Sequence, residues 1–182
     1  TLVNGFSLIG GGFNIPFVQN LSKFDVFTVP SMYQLLPHRG TMNVYDENLK
    51  PLDIDFFDVK NWEKYNWSVI QDDDFAKNFS PAEVKNARAY LIAALKRARR
   101  FQEALDANTI EKAPVSIYLI GAECKDTLGS AVVYRDEKKN RWRTLFKSDS
   151  FQRANGEKVS ADDVKKIMYE LGDGTVTKRS LT

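Results

Sequence analysis

One histidine, one cysteine and three methionines in 182 residues leave little material for several kinds of chemistry. A lone Cys excludes an internal disulfide and any cysteine-rich zinc site. A lone His, His38, excludes two-histidine metal centres, and any Ser-His-Asp or Cys-His machine must use it or take its base from elsewhere. Long apolar runs are missing too. Nothing approaches the roughly 18 residues of a membrane-spanning helix, and mean hydropathy is −0.39. Charge of one sign is scarce: 26 Lys and Arg against 24 Asp and Glu give a net +2. That balance makes no global case for nucleic acid, and none is expected as a partner. The opening Thr1-Leu2-Val3 carries no initiator Met, charged leader or apolar leader core. It reads as a processed or excised piece, which leaves the compartment illegible.

Aromatic residues, by contrast, are plentiful. Twelve Phe, seven Tyr and three Trp argue for a real core in one domain or slightly more. Residues 1–37 are apolar and punctuated by Gly10-Gly11-Gly12, Pro16, Pro30 and Pro37. From Leu21 to Leu36 the pattern predicts two short helices kinked at Pro30. Residues 38–79 mix Asp with Phe56, Phe57, Trp62, Tyr65 and Trp67, predicting short elements and loops anchored by aromatic rings.

Ser80-Pro81-Ala82-Glu83 joins a capping box to Pro at the first helical position. Apolar residues then recur at three and four from Val84 to Leu105, predicting one helix from about Pro81 to Asp106. Beyond Pro114 the period changes. Val115 to Gly121 predicts a buried strand. Ser130–Arg135 and Asn140–Phe146, flanking the polar turn at 136–139, predict an antiparallel hairpin. Ser160 caps a final short helix expected to reach about Leu171.

Several stretches invite chemistry. Gly5-Phe6-Ser7-Leu8-Ile9-Gly10 is near a nucleophile elbow, but Ile9 stands where the tight turn needs Gly, so Ser7 is structural. Gly10-Gly11-Gly12 opens onto Phe13-Asn14-Ile15-Pro16, which forbids a phosphate-cradling helix start and leaves a flexible joint. Asp72-Asp73-Asp74 lacks the alternating spacing of a calcium loop and reads as a solvated loop. Lys96, Arg97, Arg99 and Arg100, with Arg88, are either solvated cations near a helix C-terminus or a docking patch for anionic lipid or nucleic acid. Nucleic acid is the weaker option, because Asp and Glu nearly balance the charge. Gly172-Asp173-Gly174-Thr175-Val176 places an acid on a tight turn between glycines, a geometry that suits the acid of a Ser-His-Asp triad. Taken alone it is also an ordinary turn.

The C-terminal Gly172-Asp173-Gly174-Thr175-Val176-Thr177-Lys178-Arg179-Ser180-Leu181 resembles the acid segment of the lecithin:cholesterol acyltransferase-like α/β-hydrolases. Val29-Pro30-Ser31-Met32-Tyr33-Gln34-Leu35-Leu36-Pro37 resembles the segment that follows the lid of those enzymes. Val115–Gly121 is similar to their core strand before the acid, and Thr127-Leu128-Gly129 to the turn after it. The resemblance implies a partial α/β-hydrolase fold with a largely helical lid or cap insertion and a small set of β-strands. It divides the chain into a lid-associated segment (1–37), a cap ending in a long helix (38–112), and core strands with the acid turn (113–182). It implies that Asp173 is the triad acid of a serine-dependent acyl-ester hydrolase or acyltransferase acting on lipid-like esters. The nucleophile would lie before Thr1 and the catalytic His after Thr182, because no GxSxG is present and His38 precedes the acid.

On that basis Phe13, Phe17, Phe27, Met32 and Tyr33 are candidate acyl-channel residues, with core packing the equal alternative for each. No metal or cofactor is expected. Expected partners are a lipid or acyl-ester substrate, peripheral membrane contact, and a second copy covering apolar surface left open on the sheet. The competing reading is a non-enzymatic module that docks a membrane or a protein through the basic helix.

Overall fold

A computed structural model of the chain describes residues 22–37, 40–107, 115–116, 118 and 120–181. Its N-terminal half is built from short helices whose starts are written in their capping residues. Helix α1, Lys23–Phe27, begins at Ser22, whose hydroxyl accepts from the Asp25 amide while the Asp25 carboxylate returns to Ser22 N at 2.9 Å. Helix α2, Pro30–Tyr33, starts on a proline, so the predicted pair kinked at Pro30 is present. Helix α3, Val59–Tyr65, is capped by Asp58 and ends where Asn66 turns left-handed. A 3-10 turn at Val69–Gln71 leads to helix α4, Asp73–Asn78.

Asp72-Asp73-Asp74 is therefore not the solvated loop expected. Asp73 and Asp74 occupy the first turn of α4, where carboxylates suit the helix dipole, and Asp72 pairs with Lys23 at 2.5 Å.

Helix α5, Pro81–Leu105, carries the reciprocal capping box in full, with Ser80 N donating to Glu83 Oε2 at 2.8 Å. Those bonds hold the Glu83 carboxyl below its usual range. Leu91, Ala94, Leu95, Ala98 and Gln102 form its buried stripe.

The main sheet has strand order β2-β1-β4-β5. It is built from β1 (Asn43–Tyr45), β2 (Pro51–Leu52), β4 (Ser130–Asp136) and β5 (Arg141–Leu145). Strand β1 runs parallel to β4, from Asn43 opposite Ser130 to Tyr45 opposite Val132. Strands β4 and β5 form the predicted hairpin around a 3-10 turn at Glu137–Lys139.

Strand β4 is buried on both faces, and its alternation sorts its side chains between two cores. Ala131 and Val133 pack into the larger core with Tyr33, Trp62, Trp67, Leu91 and Leu95. Val132 and Tyr134 face a smaller core with Phe151, Val159, Val164 and Met168. That second layer consists of the β6–β7 ribbon (Phe151–Gln152 with Lys158–Val159) and helix α6, Ala161–Met168. The result is a mixed α/β arrangement with the sheet covered on both sides.

Buried rings keep their polar atoms satisfied. Trp62 Nε1 donates to Phe56 O at 2.7 Å, Trp67 Nε1 to the Thr144 hydroxyl at 2.8 Å, and Tyr33 Oη to Phe27 O at 2.9 Å.

Three other expectations are corrected. Of the predicted strand at Val115–Gly121, Ile117 and Leu119 lie outside the described residues; the described ones lie outside any strand, with Val115, Tyr118 and Ile120 exposed at 67%, 84% and 91%. An apolar run becomes a strand only when a neighbour takes its backbone bonds, and none among the described residues does. Helix α6 stops at Met168 rather than near Leu171. Tyr169–Gly172 becomes strand β8, antiparallel to β3 (Lys125–Leu128). Thr127 and Leu128 therefore belong to a strand, not to a turn.

Trp62, hydrogen-bonded through its indole, is the largest fully buried side chain in the larger core. Trp62→Ala is expected to cost about 3–5 kcal/mol in urea unfolding. Ser80→Ala, which removes the α5 cap, is expected to cost about 1 kcal/mol.

Candidate functional site

Asp173 sits immediately after β8, on a loop fixed by its own backbone and by two neighbouring strands. The pairing of Lys125 with Gly172 ends the β3–β8 ladder, and the chain then reverses so that Gly172 also bridges Thr177. Gly172 is required at the crossing, because a Cβ there would run into the Val176 carbonyl and the Thr127 hydroxyl. Gly174 has φ +96°, a left-handed conformation that favours glycine. The two glycines flanking Asp173 thus have separate causes, one close approach and one dihedral.

Within this loop Asp173 Oδ1 accepts from Thr175 N at 2.7 Å and from Val176 N at 2.6 Å. Asp173 N donates to Val176 O at 3.1 Å. The amide bonds, from Val176 first and then Thr175, hold the Asp173 carboxyl below the usual carboxylate range, with a smaller contribution from Lys125. The side chain is exposed. Oδ1 is anchored, while Oδ2 makes no hydrogen bond to a described residue and remains available as an acceptor.

Two residues not singled out from sequence hold the loop. Thr127, 1% exposed, accepts the Gly174 amide at 2.8 Å. Arg179 donates through Nη2 to Gly129 O at 3.1 Å and to Glu170 Oε1 at 3.0 Å, tying the 3-10 turn Lys178–Leu181 back to the β3–β8 ribbon. Thr127 is 47 positions from Gly174, and no periodicity spans that distance. For Arg179 the only signal was its place inside the segment that carried the family resemblance.

Of the candidate acyl-channel residues, Phe27, Met32 and Tyr33 are described, and all three pack in or against the larger core. Phe13 and Phe17 lie outside the described residues, as do His38, Ser7 and the Gly10–Gly12 run. Tyr33 is fully buried, its hydroxyl bound to Phe27 O and its ionisation pushed far up by burial. Met32 is partly buried against the same core. Phe27, also a core residue, is the one that additionally lines a groove. That groove, of about 380 Å³, is walled by Phe24, Phe27, Phe75, Phe79, Ala87 and Tyr90 from α1, α4 and α5. Asp173 does not line it.

Among the described residues no cluster of His, Cys, Asp and Glu could hold a metal ion. No described helix is long and apolar enough to cross a membrane. No protein-family model, no curated protein and no solved structure matches this chain.

The direction of the Asp173 shift sets a pH expectation. Its folded-state pKa lies below the unfolded value, so the carboxylate's support for the turn is complete above about pH 4 and disappears as pH falls through the depressed value. The Asp173 Cγ resonance should titrate at lower pH than that of an unperturbed aspartate. Thr127→Val, which removes the acceptor for Gly174 N, is expected to cost about 1 kcal/mol and to speed amide exchange at Gly174 and Val176.

Proposed function

We propose that this chain supplies the triad acid and the lid or cap of a serine-dependent acyl-ester hydrolase or acyltransferase acting on lipid-like esters. The observation that carries this reading is the asymmetry of the Asp173 carboxylate. A triad acid must remain ionised, hold one orientation, and offer an oxygen to the Nδ1–H of an imidazole. In Asp173 the two amides at Oδ1 supply the first two requirements, and the exposed Oδ2 supplies the third.

The base and the nucleophile would come from sequence outside residues 1–182. The imidazole, oriented by Asp173, would take the proton of a Ser hydroxyl as its oxygen attacks the ester carbonyl. The ester C–O bond would then break, the imidazolium returning its proton to the departing alcohol and leaving an acyl-enzyme. Water or a second alcohol, deprotonated by the same imidazole, would attack the acyl carbonyl and release the Ser, which recovers its proton.

The test is Asp173→Asn in the full reading frame that contains this chain, assayed with a chromophoric acyl ester. Asn keeps a side-chain oxygen for the turn but lacks the charge that stabilises an imidazolium. The expected result is a fall in kcat of about 10⁴ with thermal stability little changed. Unchanged kcat would overturn the assignment. So would burst release of the chromophore by residues 1–182 alone that Asp173→Asn abolishes, since no second source of nucleophile and base would then be needed.

A further inference from the structure

Between Glu83 and Glu103 helix α5 contains six cations and no acid. The structure divides these cations into two groups. Arg88 and Arg99, both named in the basic cluster read from the sequence, turn aside into ion pairs with Glu63 at 2.6 Å and Asp55 at 2.5 Å. Lys85, Lys96, Arg97 and Arg100 are exposed and make no ion pair to a described residue.

At 100° per residue these four fall on the side of the helix opposite the buried stripe of Leu91, Ala94, Leu95, Ala98 and Gln102. Fifteen residues separate Lys85 from Arg100, a span of about 22 Å along a straight, uninterrupted helix. The positions between them on that face are Asn86, Ala89 and Ala93, with Ile92 at its edge, all exposed. Small side chains let a flat surface approach closely, and the long alkyl stems of Lys and Arg can lie along it while their heads meet anions. A solvated helix face usually alternates charge at three and four; this one does not.

A second feature distinguishes lipid from other anions. The aromatic groove shares helix α5 with the basic face: Glu83, Asn86, Ala87 and Tyr90 form one of its walls, the Glu83 carboxylate being held in the Ser80 cap at the helix start, and Phe79 at its rim is 39% exposed. Apolar rings beside a row of cations suit the boundary between headgroups and acyl chains. The phosphate backbone of a duplex offers nothing apolar to meet them.

We propose that the outward face of α5 docks on an anionic lipid surface, with Lys85, Lys96, Arg97 and Arg100 on the headgroups and the Phe24–Phe79–Tyr90 groove taking an acyl chain. The docking face and the Asp173 turn share no residue, so this reading is independent of the one above.

The experiment is co-sedimentation of the full chain with phosphatidylcholine vesicles with and without 30% phosphatidylserine, at about 0.1 M and about 0.5 M salt. Binding to the anionic vesicles at low salt, weakened by high salt and absent for phosphatidylcholine alone, is expected. The variant Lys85→Gln, Lys96→Gln, Arg97→Gln, Arg100→Gln should lose on the order of 100-fold in affinity while keeping the parent's melting temperature, since all four side chains are exposed. A control with the same charge change placed elsewhere (Lys138→Gln, Lys139→Gln, Arg141→Gln, Lys158→Gln) should stay within about threefold of the parent. Asp173→Asn should bind as the parent does. No preference for anionic vesicles, or equal losses in the two quadruple variants, would overturn the proposal. Binding to duplex DNA at the same salt without vesicle binding would overturn it too, and would move the face to nucleic acid.

Discussion

Strand β4 is the member on which the rest of the architecture depends. Its residues alternate between two cores, so that Ala131 and Val133 complete the aromatic layer while Val132 and Tyr134 complete the layer under α6. Its two edges are occupied as well, by β1 on one side and β5 on the other. Ser130 to Tyr134 lie between the two cores, with both edges paired at Val132, while Arg135 and Asp136 at the end of the strand are half-buried. This accounts for the unbroken buried run from Ser130 to Tyr134. It also explains why helical and strand-rich segments far apart in the chain form one body.

How much of this was legible depended on whether the determining partner was near in sequence. The α5 boundary was readable because Ser80 and Glu83 stand three residues apart and satisfy each other. The hairpin of β4 and β5 was readable because its turn is polar and short. The described residues of Val115–Gly121 take no part in a strand, because apolar composition does not create the neighbour that a strand needs. The end of α6 was misplaced because Tyr169–Gly172 is claimed by β3, about forty residues upstream, and pairing at that distance overrides helical periodicity. The Asp72–Asp74 run was expected to be a solvated loop because its acids were compared with the spacing of a calcium loop and not with the first turn of a helix, which Asp73 and Asp74 occupy.

The candidate site shows the same division. The Gly-Asp-Gly turn was visible, yet the reason for each glycine was not: Gly172 answers to Thr127 and Val176, Gly174 to its own dihedral. The basic cluster was visible as composition, yet its membership changed once Glu63 and Asp55 claimed Arg88 and Arg99 and left Lys85 on the open face. Charge counts read from sequence include cations that the fold has already neutralised.

The parallel pairing of β1 with β4 bears on how the chain reaches its fold. Asn43 and Ser130 are partners, yet everything from α3 through α5 lies between them. Closing so long a connection is entropically demanding, and a parallel pair forms only after the intervening chain has been organised. During synthesis the rings of Phe56, Trp62, Tyr65 and Trp67 leave the ribosome well before Ala131 and Val133, the strand residues that close their core. For that interval the aromatic layer has no sheet to rest on, and the apolar surface that β4 later covers stays open to solvent.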